Sequence, residues 1–319
     1  MQGKFIISLD FELLWGVFDV VDYKSKKEYF RQTRDIIPQI LYEFQASKVH
    51  ATWATVGMLF NKDWEEWEEN LPEVLPNYKK QELSAYDYAK SIKSSSTEEF
   101  CFAPNLIKQI AHSKGQELAS HTYSHYYCLE EGQTAKSFDK DIEKAVAVAA
   151  KIDVELKSLV FPRNQFAPEY LEICNKHGIK NVRTNPDSWY WKDAASNSVL
   201  NKLGRTGDAY MNLGKKSYRA DTIDGNRNQS LEQKASRFLR PAEGSKILRK
   251  LKINRILFEM EQAAKNNEVY HLWWHPHNFG DQPEKNMNDL RIILDHFSRL
   301  RTTYNFQSKN MAELGDLLR

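Results

Sequence analysis

Short apolar runs alternate with stretches of helical periodicity along most of the chain. KFIISLD (residues 4–10) predicts a strand, residues 28–46 a helix and VHATWAT (residues 49–55) a second strand. Residues 104–114 open on Pro104 and stop before Gly115, the usual punctuation of a helix, and QELASH follows as a third strand. Residues 134–151 place Phe138, Ile142, Ala145, Val146 and Ala149 on one helical face, and LKSLVFP is the next strand. APEYLEICNKHG reads as a helix ended by Gly178, IKNVRT as a strand and EVYHLWWHP as another. Met287, Leu290, Ile293, Leu294, Phe297 and Leu300 then form a last helical stripe.

Repeated strand–helix units of this kind build a parallel sheet, closed into a barrel or open and doubly wound. Asp10, His121, Arg163 and His275 all fall at or just after the ends of different predicted strands, and only a barrel brings such ends to one mouth. No dinucleotide or phosphate-loop fingerprint follows the first strand. The expected fold class is therefore α/β, a distorted barrel spanning residues 1–319 as a single unit. Two stretches break the alternation: residues 61–100, with KDWEEWEEN, predict a helical insertion over the rim, and residues 201–255 a second insertion.

Composition narrows the classes of function. With 41% hydrophobic residues the chain can bury a large core, and its net charge of +2 argues for neither nucleic acid nor a general anionic partner. Residues 201–255 nevertheless carry fourteen Lys and Arg against five Asp and Glu. That excess reads either as a solvated loop and helix or as contact with an anionic substrate group such as a phosphate or diphosphate. No secretory signal or membrane-spanning run is evident, which predicts a cytoplasmic protein. Cys101, Cys128 and Cys174 are odd in number and widely spaced, as reduced thiols would be; Cys128 reads as a small buried residue rather than a ligand.

ELASHTYSHYY sets His121 and His125 four apart at a strand end, where both rings can reach one divalent ion. In SLDFELLWG, Asp10 and Glu12 are two apart, so strand periodicity directs both carboxylates to one side and Phe11 to the other. Two imidazoles and one carboxylate form a metal site with open positions, and the second carboxylate is left free as a base. That set suits amide hydrolysis.

The same segments resemble, in order, the motifs of the polysaccharide deacetylase family, the NodB-homology carbohydrate esterases. SLDFE resembles the first motif, usually TFDDG, which implies Asp10 as base and Glu12, in place of the second Asp, as metal ligand. SHTYSH resembles the HxxxH motif, which implies His121 and His125 as ligands. FPRNQ resembles the motif whose Arg pairs with the catalytic Asp, implying Arg163. DSWYW resembles the groove motif, implying Asp187 and Trp189, and HLWWHPH the motif that brings the general acid, implying His275. His271 and His277, on either side, read as structural.

The resemblance implies a (β/α)7 barrel and a metal-dependent hydrolase, with zinc the expected divalent ion, that removes an N-acetyl group from an amino sugar of a polysaccharide or its precursor. Trp15, Trp189 and Trp274 are the aromatic candidates for stacking on sugar rings. Two alternatives stand beside this reading: an allantoinase-like amidohydrolase of small molecules on the same scaffold, and a non-catalytic carbohydrate-binding homologue.

Overall fold

A computed structural model describes residues 1–191, 207–211, 214–223 and 230–319. The strands are β1 (Lys4–Phe11), β2 (Ala51–Thr55), β3 (Gln116–Ser120), β4 (Ser158–Val160), β5 (Asn181–Thr184), β6 (Leu231–Lys234), β7 (Arg237–Phe238), β8 (Val269–Trp274) and β9 (Gln307–Lys309). Helix α1 (Lys27–Ser47) follows β1. Next come α2 (Trp64–Glu69), α3 (Ala85–Ile92), α4 (Pro104–His112), α5 (Ala135–Ala150) and α6 (Leu171–Lys176). The last three are α7 (Lys246–Lys265), α8 (Pro283–Tyr304) and α9 (Met311–Leu318).

All paired strands are parallel, in the order β6-β5-β4-β3-β2-β1-β8-β7. Strands β6 and β7 are separated only by Ala235 and Ser236. The Ala235 amide donates to Thr184 of β5, whereas the Ser236 amide donates to His271 of β8. One bent segment thus joins the two edges of the sheet, and the expected seven-membered (β/α) barrel results. Strand β9 pairs with Lys4–Ile6 at the base of β1.

Strand periodicity sorts each side chain to one of two places. In β1, Phe5, Ile7, Leu9 and Phe11 pack outward into the main hydrophobic cluster against α1 and α8, while Ser8 and Asp10 join the polar groups inside the barrel. Strand β8 does the same, with Tyr270, Leu272 and Trp274 outward and His271 and Trp273 inward. The stripe predicted on α8 is buried along its whole length. Residues 61–100 carry α2 and α3, with Trp64 and Trp67 buried and Trp64 edge-on to Trp15.

Residues 201–255 are not one excursion from the barrel. Their described part includes β6, β7 and the first half of α7, which together supply a barrel strand and its helix. The strand was missed because it is polar: Gln233 points inward, bonded to Asn181 and the Met311 carbonyl, and Arg237 is buried against Glu259 and Asp208. Most of the local cations are likewise paired within the protein. Lys216 meets Asp208, Lys215 Glu268, Arg249 Asp289, and Lys252 the Arg240 and Pro241 carbonyls. The anionic-substrate reading therefore finds no free cationic cluster in these side chains.

Helix α9 closes the barrel base. The Met311 amide donates to Thr52, the Ala312 amide to half-buried Glu117, and Gly315 lies so near Asn181 that a Cβ there would sit 1.9 Å from the amide oxygen. Gly315→Ala, although alanine is the better helix former, is expected to lower stability by about 1–3 kcal/mol through overpacking. Thermal denaturation checks this, and a raised midpoint would show that the base can yield.

Candidate metal and hydrolytic site

The polar interior of the barrel is built in layers. Arg183, on β5, has no exposed side-chain surface and forms two parallel hydrogen bonds to Asp10, 2.7 Å to Oδ1 and 2.8 Å to Oδ2. Its guanidinium also donates to Ser8 Oγ at 2.9 Å and Asn164 Oδ1 at 3.0 Å, and its Cζ lies 4.4 Å from the Trp273 ring centre. Ser8 Oγ, which accepts from Arg183, is also hydrogen-bonded to His271 Nε2, 2.8 Å away. Burial, reinforced by Arg183, drops the His271 pKa to about 3, so this ring stays neutral and able to accept. For Asp10, burial pushes the carboxyl upward, but Arg183 and then His121 and His275 outweigh it and hold the group ionised.

Glu12 lies one layer nearer the mouth. Its Oε2 is 3.2 Å from both His121 Nε2 and His125 Nε2, and its Oε1 is 3.5 Å from His277 Nδ1 and 3.8 Å from His275 Nε2. Burial opposes its charge, yet the surrounding imidazoles place its pKa well below the usual carboxylate value. Among the described residues, Glu12, His121 and His125 are the one group of metal-type ligand atoms that all lie within 4.8 Å of one another.

The tautomer of His121 tests whether a cation fits. Its Nδ1 is 2.9 Å from the Val160 carbonyl, which can only accept, so Nδ1 carries the proton. In the neutral ring Nε2 then presents a lone pair, buried and without a hydrogen-bond partner, to a carboxylate oxygen. Two acceptors at 3.2 Å repel unless a cation sits between them, and the donor set suits a divalent ion such as zinc.

The loop that carries these rings is tightly held. Thr122 and His125 both take left-handed backbone conformations, with φ of 61° and 56°. Gly57 and Met58 amides donate to the carbonyls of Thr122 and Tyr123, and Asp141 accepts from the Tyr123 and Ser124 amides and from Ser124 Oγ. Gly16 makes room on the other side: a Cβ there would lie 1.9 Å from Glu12 Cδ.

The remaining expected residues separate into those at the site and those away from it. His275 is there, with its ring stacked on His277 at 4.9 Å and its Nε2 3.7 Å from Asp10 Oδ2. At 24% side-chain exposure it is the most open of the groups around the two carboxylates. Arg163 does not pair with Asp10. It leaves the strand in a left-handed conformation, bonds to Asp19 and lies over the Tyr127 ring, and Arg183 takes the place beside Asp10. A charged residue inside a short buried strand, NVRT, was the available signal for Arg183. Asp187 is exposed and bonds to Lys234.

Trp15 is a core residue whose Nε1 donates to the Cys101 carbonyl, and Trp274 packs outward on Phe44 and Phe279. The side chain of Trp189 lies outside the described residues. In their stead, Trp273, Phe238 and Trp191 form an aromatic wall beside His275. All three cysteines are buried and unbridged.

A family model described as polysaccharide deacetylase matches residues 18–182, more than half of the chain. The chain belongs to the polysaccharide deacetylase family. The matched stretch includes the HxxxH pair but starts after Glu12 and ends before Arg183 and His275. Among solved structures, the fold is similar to that of a protein from Mycobacterium smegmatis assigned as a polysaccharide deacetylase. The TM-score is 0.62 at 12% identity, over 100% of this chain and 91% of that one. An assigned polysaccharide deacetylase from Pseudomonas aeruginosa PAO1 gives 0.57 at 9% identity over 98% and 89%, and PuuE allantoinase 0.54 at 9% over 98% and 88%. At these identities the likeness concerns the fold. No curated protein sequence matches the chain.

Gly16→Ala should displace the Glu12 carboxyl and weaken zinc binding by about tenfold or more, as loss of supporting groups around a metal does. Isothermal titration with zinc measures it; wild-type affinity would mean that Glu12 is not a ligand.

Proposed function

We propose that the protein is a metal-dependent hydrolase that removes an N-acetyl group from an amino sugar of a polysaccharide or its precursor. Family membership supports the reaction class. The observation that carries the metal dependence is the buried, unpartnered His121 Nε2 facing Glu12 Oε2, one layer above the arginine-paired carboxylate of Asp10. Glu12, His121 and His125 would hold the ion, with zinc favoured by the two imidazoles and one carboxylate. Such an ion supplies Lewis acidity, polarising a carbonyl and acidifying water.

The chain's own groups divide the rest of the work. Asp10, kept ionised and fixed in rotation by Arg183, takes a proton from the attacking water as the new C–O bond forms. His275, half-open to the mouth, returns a proton to the sugar nitrogen as the C–N bond breaks, leaving acetate and the free amine. Trp191, partly exposed and edge-on to buried Trp273, offers apolar surface near that proton donor, suited to a sugar face. Arg163, bonded to Asp19 and lying over Tyr127, would act at the rim rather than on the base.

Purified protein with added zinc should release acetate from N-acetylated amino-sugar oligomers, and chelation should abolish that release. Zinc-loaded protein inactive on every acetylated sugar, yet active on small cyclic amides, would favour the allantoinase-like alternative.

Asp10→Asn should keep zinc and lose turnover by about 10²–10⁴-fold, the range of a general base. Arg183→Ala should cost kcat far more than Arg163→Ala does. Equal losses in the two arginine variants, with intact folding by circular dichroism, would show that the Arg183 pair does not prepare the base.

A further inference from the structure

The basic stretch around residue 250 has one part that internal pairing does not absorb. KILRKLKINRILF, residues 246–258, holds five cations and no acid. It forms the first turns of α7, capped by Ser245 accepting from the Leu248 amide. Arg249, Lys252 and Arg255 turn inward to Asp289, to the Arg240 and Pro241 carbonyls and to Glu259. Lys246 and Lys250 turn outward, with no ion pair among the described residues.

The outward face should be polar, and it is not. At 100° per residue, Ile247, Leu251, Asn254 and Phe258 fall within one narrow stripe, opposite buried Ile256, Met260 and Ala263. Ile247 is 73% exposed, Phe258 50%, Leu251 46% and neighbouring Leu248 41%. Ile292 of α8 is also exposed, and a groove of about 320 Å³ between the helices runs past Lys246, Lys250, Ile253 and Ile292. Interrupted only by Asn254, this is an apolar ridge flanked by Lys246 and Lys250 on the outer wall of a barrel, where single exposed apolar residues are the norm.

We propose that this face of α7 docks on an anionic lipid surface. Lysines that flank an apolar ridge extend their ammonium groups to phosphate headgroups while the ridge enters the acyl boundary. A second copy of the chain fits less well. A two-fold contact would bring Lys246 and Lys250 against their own counterparts, and a ridge of four or five side chains falls well short of the roughly 800 Å² per partner of a stable interface. The orientation is also specific. A barrel helix begins at the end where its preceding strand finishes, so Ile247, Leu248 and Leu251 lie at the mouth end. The Ala242 amide there bonds to Asn286, which in turn donates to the loop after His275. Docking would hold the mouth near the lipid headgroups.

Flotation of the full chain with vesicles of phosphatidylcholine alone, or of phosphatidylcholine with phosphatidylglycerol, tests it. Binding is expected to the mixed vesicles, to weaken with added salt, and to fall by about thirtyfold or more in Lys246→Glu/Lys250→Glu. Ile247→Ser/Leu251→Ser/Phe258→Ser should abolish it, while both variants keep the wild-type circular dichroism melting curve and zinc affinity. Three results would overturn the proposal: no flotation with the mixed vesicles, variants that float as the wild type does, or a lipid-free dimer that the apolar triple variant converts to monomer.

Discussion

Two carboxylates are buried within three residues at the end of β1, and buried negative charge persists only where positive charge meets it. The structure meets the two demands differently. Asp10 receives a permanent guanidinium with both oxygens engaged, so its charge and rotation are fixed from within. Glu12 receives four imidazoles and no fixed cation, and one of those imidazoles presents a lone pair to it. The first arrangement is complete as it stands. The second is the arrangement that a divalent ion would complete, and in the proposed function that asymmetry separates base from ligand.

The rest of the barrel interior follows from keeping these two groups in register. Beneath Asp10, Ser8 accepts from Arg183 and bonds in turn to neutral His271, and Trp273 covers the guanidinium face. Above it, the HxxxH loop cannot drift, because Asp141 and the Gly57 and Met58 amides hold its backbone while two residues adopt left-handed conformations. Such preorganisation is what a metal site needs to bind without reordering its ligands.

Much of this could be read from local pattern. Period-two alternation put Asp10 and Glu12 on one side, helical stripes marked α5 and α8, and strand ends located the mouth. What escaped was decided by partners distant in sequence. Arg163 occupies the expected motif position, yet its left-handed backbone carries it to Asp19, and Arg183, twenty residues later, reaches Asp10 because β5 faces it across the barrel. Strands β6 and β7 lack apolar alternation because Gln233 lines a polar interior and Arg237 pairs with Glu259 of α7, so their pattern resembles an insertion. Trp273 and Trp274 are adjacent and face opposite ways, and only the closed barrel shows that the former looks inward.

The most direct test of the central claim is anomalous scattering at the zinc edge from crystals grown with zinc. The account predicts a peak bonded to Glu12 Oε2, His121 Nε2 and His125 Nε2 at about 2.0–2.2 Å, with the Asp10–Arg183 pair intact beside it. Zinc on Asp10 in place of Arg183, or no peak among the three ligands at saturating zinc, would contradict it.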